Sequence, residues 1–417
     1  MKKSKYNIEI LGKKDVAIYN LLNRSIILLD KDIYNSYLIN TLEDEEIKYL
    51  SEIGILIEDG IDEVEVMKQK INSAKYSPKA MTIFLSLTQK CNLKCIYCYQ
   101  DSIREKNIGN YIDEKNIEKI FLMLKKKSSE MRSLNIVLFG GEPLLNKEKI
   151  LSIISNLNEL RTESLKVHIS LITNGVELTQ EFLNSTNKYL NTIQITIDGK
   201  KEIHDSMRIF PNGDGSFDII YQNLKKASKL FKGRVALRIN VNKNSISHVY
   251  DFIEQLEKDN LMEYISISIV PIFDNQTTIS LGCNKGIEKE ILEEVNNIYM
   301  YLAKKKFKFE KDFVEGPCMV RHFNSFAVDE ELNIYECPGV LYNKSSGKIT
   351  NTGDLKILDS RFYKFVNEEK KCINTCEYAP ICFGGCSWQN RCNKNELSMT
   401  LIPQLKAYLV SRYNFEL

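Results

Sequence analysis

Charge of one sign is almost missing from this chain: 57 Lys and Arg stand against 55 Asp and Glu, a formal net charge of +2 over 417 residues. No broad basic field is left to hold a phosphate backbone, so nucleic-acid binding loses its electrostatic basis. Long apolar runs are missing as well. No stretch approaches the roughly 18 consecutive apolar residues of a membrane span, and the basic start MKKSKYNIEILGKKD lacks the apolar core of a signal peptide. The chain is therefore expected in the cytoplasm, with no membrane and no nucleic acid among its partners. Four histidines, His168, His204, His248 and His322, make no paired metal spacing. Neither a GxSxG elbow nor a GxxxxGK(S/T) phosphate loop occurs, and Asn212-Gly-Asp-Gly215 departs from a dinucleotide loop because Asp218 stands where the third Gly should be.

What is present is an ordinary globular composition, 43% hydrophobic and 27% charged, at a length that favours two or three domains. Eleven cysteines are distributed unevenly: three lie between Cys91 and Cys98, one is alone at Cys283, and seven fall between Cys318 and Cys392. Cytoplasmic thiols stay reduced, so such clusters point to metal or catalysis and away from disulfides.

The chain divides into three stretches. Residues 1–78 combine short β-prone runs at 6–11, 16–19 and 26–30 with later helical patterns. Thr41, three residues before Asp44, opens an apolar spacing of Ile47, Leu50 and Ile53 that stops at Gly54, predicting a capped helix. Between Glu43 and Glu65 there are ten acidic residues against one Lys, either a solvated face or a surface for a basic peptide. Residues 79–285 alternate six candidate strands (82–87, 135–139, 167–172, 193–197, 235–241, 265–270) with helical patterns at 117–124, 150–157, 217–230 and 246–256. This order predicts an α/β fold of parallel units closing into a partial (β/α)6 barrel, with chemistry at the carboxyl ends of the strands. Residues 286–417 begin with a helix near 288–304 and become rich in Cys and poor in strong strands, which calls for bound metal as a source of stability.

After the first barrel strand comes Cys91-Asn-Leu-Lys-Cys95-Ile-Tyr-Cys98. Three thiols can hold three irons of a [4Fe–4S] cubane and leave the fourth open to an exogenous ligand. A structural zinc site with a distant fourth ligand is the alternative. The loop, with Tyr97 just before its last Cys, resembles the signature of the radical S-adenosylmethionine (SAM) superfamily. Gly140-Gly141-Glu142-Pro143 after the second strand, Thr173-Asn174-Gly175 after the third and Thr196-Ile-Asp198-Gly199 after the fourth extend the resemblance. It implies that Cys91, Cys95 and Cys98 hold the catalytic cluster and that the Gly140–Pro143 segment presents backbone groups and the Glu142 carboxylate to the SAM amine. By the same resemblance Thr196 and Arg208 hold the SAM carboxylate, while Asp198 is either part of that site or a structural ion-pair partner.

Cys318, Cys337, Cys372, Cys376, Cys382, Cys386 and Cys392 are similar to the seven-Cys pattern of the SPASM domain, which carries two auxiliary [4Fe–4S] clusters. The resemblance implies Cys318, Cys337 and Cys386 for the nearer cluster and Cys372, Cys376, Cys382 and Cys392 for the farther, three [4Fe–4S] clusters in all. Cys283 is then a fourth ligand of the nearer cluster or a buried thiol. The chain departs from the pattern in having three residues between Cys372 and Cys376, where two are usual, and Leu332 where Gly is usual. Zinc stays the alternative reading of these thiols.

The resemblance implies a 5′-deoxyadenosyl-radical enzyme fed by a flavodoxin or ferredoxin. Its element order makes residues 1–78 similar to a small winged-helix-like domain that binds leader peptides as an added strand. The expected function is maturation of a ribosomally made precursor peptide by a crosslink, first of all a thioether. A formylglycine-forming sulfatase maturase is the runner-up; such enzymes carry Asp directly after the second SPASM Cys, where this chain has Pro338 after Cys337. The other class considered is a non-catalytic zinc or iron–sulfur peptide-binding protein.

Overall fold

The computed structural model describes residues 1–98, 100, 111–272, 288–309, 318–388, 392 and 394–417. Cys283 lies outside them, so its expected role is not addressed by the structure. Among the described residues no helix is long and apolar enough to cross a membrane.

The chain forms two compact units, one of Met1–Lys75, Asn296–Cys318 and Glu368–Leu417, the other of Tyr76–Val295 and Met319–Asn367. In the first unit, strands β1 (Asn7–Leu11), β2 (Asp15–Asn20) and β3 (Ile26–Asp30) make an antiparallel meander with β2 in the middle. Helices α1 (Lys31–Ile39), α2 (Asp44–Glu52) and α3 (Glu63–Lys75) follow. Thr41 does not cap α2; Glu43 does, in a reciprocal capping box with Glu46. A carboxylate two residues further on reaches the free N–H groups of the first turn better than the more distant hydroxyl, and it also meets the positive end of the helix dipole.

Strand β2 is buried on both faces, and the period of two explains how. Val16 and Ile18 join Leu29, Tyr37 and Leu50 in one core, while Ala17 and Tyr19 point the other way. There they meet Met67 and Ile71 of α3, and also Ile373, Tyr378 and Phe383 from the Cys-rich end of the chain. The amino-terminal meander and the last fifty residues thus share one core.

In the second unit six strands lie parallel and in sequence order: β4 (Ala80–Ser86), β5 (Ser133–Phe139), β6 (Lys166–Thr173), β7 (Thr192–Thr196), β8 (Arg234–Val241) and β9 (Ile265–Pro271). These are the six expected from the sequence. The helices between them cover one face, where Ile83, Leu85 and Ile136 pack on Ile117, Ile120 and Phe121. Each such burial is worth about 1.5–3 kcal/mol. Because strand side chains alternate, Thr82, Phe84 and Ser86 point to the opposite, lumenal face.

The sheet does not end at β4. Strand β10 (Ser325–Val328) pairs parallel to β4 on its outer edge, and β11 (Asn333–Tyr335), β12 (Gly347–Ile349) and β13 (Leu355–Ile357) continue it antiparallel. These strands are too short to show a period in the sequence. The turn between β10 and β11 is held by Asp329, which accepts the N–H groups of Glu331 and Asn333. Leu332 in that turn has φ +68°, in the left-handed region that favours the Gly it replaces. Its burial at 1% exposure offsets the strain.

Candidate active site at the carboxyl ends of the barrel strands

The loops after β4 to β8 bring together most of the residues singled out in the sequence. Gly140 and Gly141, after β5, run directly against the segment that leads into Cys91. The N–H of Gly141 donates to the carbonyl of Thr88, and that of Glu142 to Lys90, both at 2.7 Å. Gly140 has φ +152°, and a Cβ there would stand 2.4 Å from the Thr88 carbonyl oxygen; at Gly141 it would stand 2.2 Å from that of Lys90. Only glycine permits this approach.

Glu142 is fully buried, and its carboxylate turns inward. One oxygen accepts the N–H of Leu144 at 2.9 Å and the hydroxyl of Thr173 at 2.7 Å; the other accepts the N–H of Asn174 at 2.7 Å. Burial pushes its pKa up, against these hydrogen bonds and the charge of Arg208. The side chain stitches the β5 loop to the end of β6 through these three donors. Pro143 opens a short 3-10 turn, and its carbonyl accepts the Tyr111 hydroxyl. Asn174 reaches the cluster loop itself: its side-chain N–H groups face Asn92 Oδ1 at 2.7 Å and Cys91 Sγ at 3.8 Å.

On the other side of the loop, Lys94–Cys95 pairs antiparallel with Arg208–Ile209, setting Cys95 opposite Arg208. Burial pushes the Cys95 thiol up to about 11, with Arg208 acting to lower it. The Tyr97 hydroxyl is a junction. It donates to Asp198 Oδ2 and accepts Arg208 Nη1 at 2.7 Å and Asn240 Nδ2 at 3.0 Å. Asp198 also accepts the backbone N–H of Asn240 at 3.0 Å, and burial raises its pKa while Arg208 opposes the rise. For Arg208 burial acts to lower the pKa, and the attraction of Tyr97, Cys95 and Asp198 wins and raises it. His204, also fully buried, faces the Asp198 N–H with Nδ1 at 3.3 Å and Ser216 with Nε2 at 3.0 Å. Desolvation holds it well below its ordinary pKa, hence neutral. Thr196 closes β7 and is buried.

Asn240, His204 and Ser216 were not singled out in the sequence. An Asn interrupting the apolar run of β8 at its carboxyl end is the signal that would have found the first. The other two depend on a contact across helices.

Two observations test this site for a bound amino-acid-bearing cofactor. Arg208 Nε is buried with no partner, a cationic donor left for an anion. The glycine pair presents backbone at close range beside three thiols that form no disulfide. SAM on a three-thiol cluster fits both.

In the first unit, Cys372, Cys376, Cys382 and Cys392 border one pocket with Tyr378 and Lys394. Burial raises the Cys382 thiol, while the N–H groups of Gly385 and Gly384 lower it. Phe383, at φ +47°, and the two glycines turn the chain there. Four soft sulfur donors suit iron–sulfur or zinc. Among the described residues no group of His, Cys, Asp or Glu closes around a single ion. Cys318 and Cys386 belong to this unit and Cys337 to the barrel unit, where its sulfur accepts the N–H of Gly339 at 3.3 Å.

Residues 85–256 match the radical SAM superfamily. A radical SAM cyclopropyl synthase, TigE, from Paramaledivibacter caminithermalis is 27% identical over 90% of this chain and 84% of its own. A cysteine-type anaerobic sulfatase-maturating enzyme from Clostridium novyi is 23% identical over 72% of this chain and 85% of its own. Among solved structures, anSMEcpe with bound AdoMet and the Cp18Cys peptide superposes with a TM-score of 0.58 at 16% identity, over 80% of this chain and 97% of that one. Streptococcus suis SuiB bound to precursor peptide SuiA gives 0.54 at 15% identity, over 92% and 95%. The last two establish the likeness of fold.

Proposed function

We propose that this protein, a radical SAM enzyme, matures a peptide substrate. The observation that carries the reading is the pairing of two kinds of thiol site: a three-thiol loop beside an unpartnered arginine donor, and a separate four-thiol pocket. The relatives crystallised with peptides support the substrate class. When bound, SAM and its [4Fe–4S] cluster supply a 5′-deoxyadenosyl radical that abstracts hydrogen from the substrate. Cys91, Cys95 and Cys98 hold that cluster. Arg208 and Thr196 receive the SAM carboxylate, and Tyr97, Asp198 and Asn240 fix the loop under it. Backbone carbonyls of the Gly140–Pro143 loop, braced by Glu142, Thr173 and Asn174, face the amine.

Cys372, Cys376, Cys382 and Cys392 hold the farther auxiliary cluster, and Cys318, Cys337 and Cys386 the nearer, for three in all. A ribosomally made precursor docks its leader as a strand on β1 or β3, the two edges of the amino-terminal meander, and a flavodoxin or ferredoxin supplies electrons. The product is a crosslink, a thioether first; the extent of the TigE alignment favours carbon–carbon bond formation as the second choice. Sulfatase maturation is supported by the Clostridium novyi relative and opposed by Pro338.

The test is anaerobic reconstitution followed by incubation with SAM, dithionite and synthetic peptides encoded by the short reading frames flanking the gene. Formation of 5′-deoxyadenosine with a loss of two mass units in one peptide is expected. The Cys91/Cys95/Cys98→Ala protein should form no 5′-deoxyadenosine and keep the iron of its carboxyl-terminal thiols. A colourless protein with zinc and no 5′-deoxyadenosine would sink the reading.

A further inference from the structure

A second polar cluster lies at the carboxyl end of β4, on the lumenal face and beside the segment that leads into Cys91. Ser86 is the last residue of that strand, Gln89 lies two residues before Cys91, Glu330 is in the turn between β10 and β11, and Tyr342 is in the connection between β11 and β12. Tyr342 bonds Ser86 Oγ at 2.7 Å and donates to Glu330 Oε2 at 2.9 Å. Gln89 Nε2 donates to Glu330 Oε1 at 2.5 Å, and Gln89 Oε1 is left buried with no partner. With one phenol proton given to Glu330, the Ser86 hydroxyl must donate to Tyr342. The three form a one-way hydrogen-bond chain ending in the carboxylate.

Three features set this chain apart from a structural network. Tyr342 has φ +66°, a region a bulky aromatic enters only when its surroundings force it, and such strain gathers at functional positions. It packs against the buried cluster that contains the lumenal Phe139, and of Ser86, Gln89, Glu330 and Tyr342 it alone is partly exposed. Third, among the described residues no cation is paired with Glu330. The groups facing it are Gln89 and Tyr342, with neighbouring Asp329 engaged by Asn333 and Tyr335; Asn116 donates to the Glu330 carbonyl at 3.0 Å, and the Lys119 ammonium donates to Asn116 Oδ1 at 3.1 Å. Burial raises the pKa of Glu330, its hydrogen bonds oppose this, and the charge of Asp329 adds to the rise. A carboxylate tuned upward without a counter-charge is suited to take a proton.

We propose that Glu330, reached through Tyr342, is the proton acceptor for the second hydrogen that crosslinking removes from the peptide. This rests on the peptide-maturase reading. Joining a C–H carbon to an S–H or second C–H group removes two hydrogens. The first leaves as an atom, abstracted by the radical. As the new bond forms, the second leaves as an electron, taken by an oxidised iron–sulfur cluster, and as a proton, passed to the Tyr342 oxygen while the phenol proton moves to Glu330.

Glu330→Gln keeps the shape but cannot accept the proton, and Tyr342→Phe breaks the chain while keeping the ring. Full-length reconstituted proteins are compared with the flanking-frame peptides, deuterated at Cα and Cβ. Both variants should still move deuterium into 5′-deoxyadenosine. The ratio of crosslinked peptide to 5′-deoxyadenosine should fall about 100-fold in Glu330→Gln, and the alkaline rise of product formation with pH should be lost. An unchanged ratio overturns the proposal. A wild type that modifies no peptide counts against the maturase reading, and a second measurement then decides on Glu330. Infrared pH titration of the full-length protein without peptide should show a protonated-carboxyl band of elevated midpoint, absent in Glu330→Gln and displaced in Tyr342→Phe. A Glu330→Gln spectrum identical to wild type throughout overturns the proposal by itself.

Discussion

Arg208 donates through Nη1 to the Tyr97 hydroxyl at 2.7 Å while its Nε stays buried without a partner. One end of the guanidinium holds the cluster loop, and the other carries a donor without a protein partner. An anion received there would be coupled through this cation to the placement of Cys98, next to Tyr97 in sequence.

Tyr97→Phe should separate these two tasks. The ring remains, but Asp198 and the side chains of Arg208 and Asn240 each lose a hydrogen-bond partner inside the protein. Each loss of that kind costs about 1–3 kcal/mol. Denaturant unfolding should show a reduced midpoint, and electron paramagnetic resonance of the reduced cluster should broaden as the loop loosens. Arg208→Lys should instead raise KM for SAM by at least tenfold, because a single ammonium cannot serve both partners.

Glu142→Gln should lower stability by about 1–3 kcal/mol. Both carboxylate oxygens accept, from Leu144 and Thr173 on one side and Asn174 on the other. An amide presents a donor to one of these sides, whichever way it turns. SAM cleavage should fall with it, and the loss of melting temperature by calorimetry checks the structural cause.

His204 makes an acid-sensitive point of the barrel. Its folded pKa is depressed by burial, so the unfolded chain binds the extra proton first. Stability is then full above the unfolded value, about 6.5, and is lost as pH falls below it, at up to about 1.4 kcal/mol per pH unit. Replacing His204 by Gln, which keeps a polar group near Ser216 but does not titrate, should flatten the stability difference between pH 7 and pH 5. Urea unfolding at the two pH values measures it.

Removing residues 1–75 should do more than remove a peptide-binding surface. Tyr6, Ile10, Tyr19 and Met67 share a core with Ile373, Tyr378 and Ala379, which line the four-thiol pocket. The truncated protein should lose the iron of that pocket on reconstitution, seen as a reduced iron-to-protein ratio. Leader binding is better tested by hydrogen exchange of β1 and β3 in the intact protein.

The amino-acid sequence alone determined the six parallel strands, because each is an apolar run bounded by turn residues, and it determined the thiol positions, because spacing survives without contacts. Arg208 was visible through the resemblance, ten residues beyond the Asp198 of a strand-end motif. Glu142 was visible as a residue and its bracing was not, since nothing local states that Leu144, Thr173 and Asn174 turn inward onto it. The tertiary structure decided what depends on parts distant in sequence meeting. Glu330 and Tyr342 reach Ser86 only because β10 pairs beside β4, 240 and more residues away in the chain. The amino-terminal meander becomes part of the Cys-rich core only because alternate residues of β2 face opposite ways and both faces find partners. Hydrophobic periodicity reports which face of an element is buried, and it carries no information about what buries it.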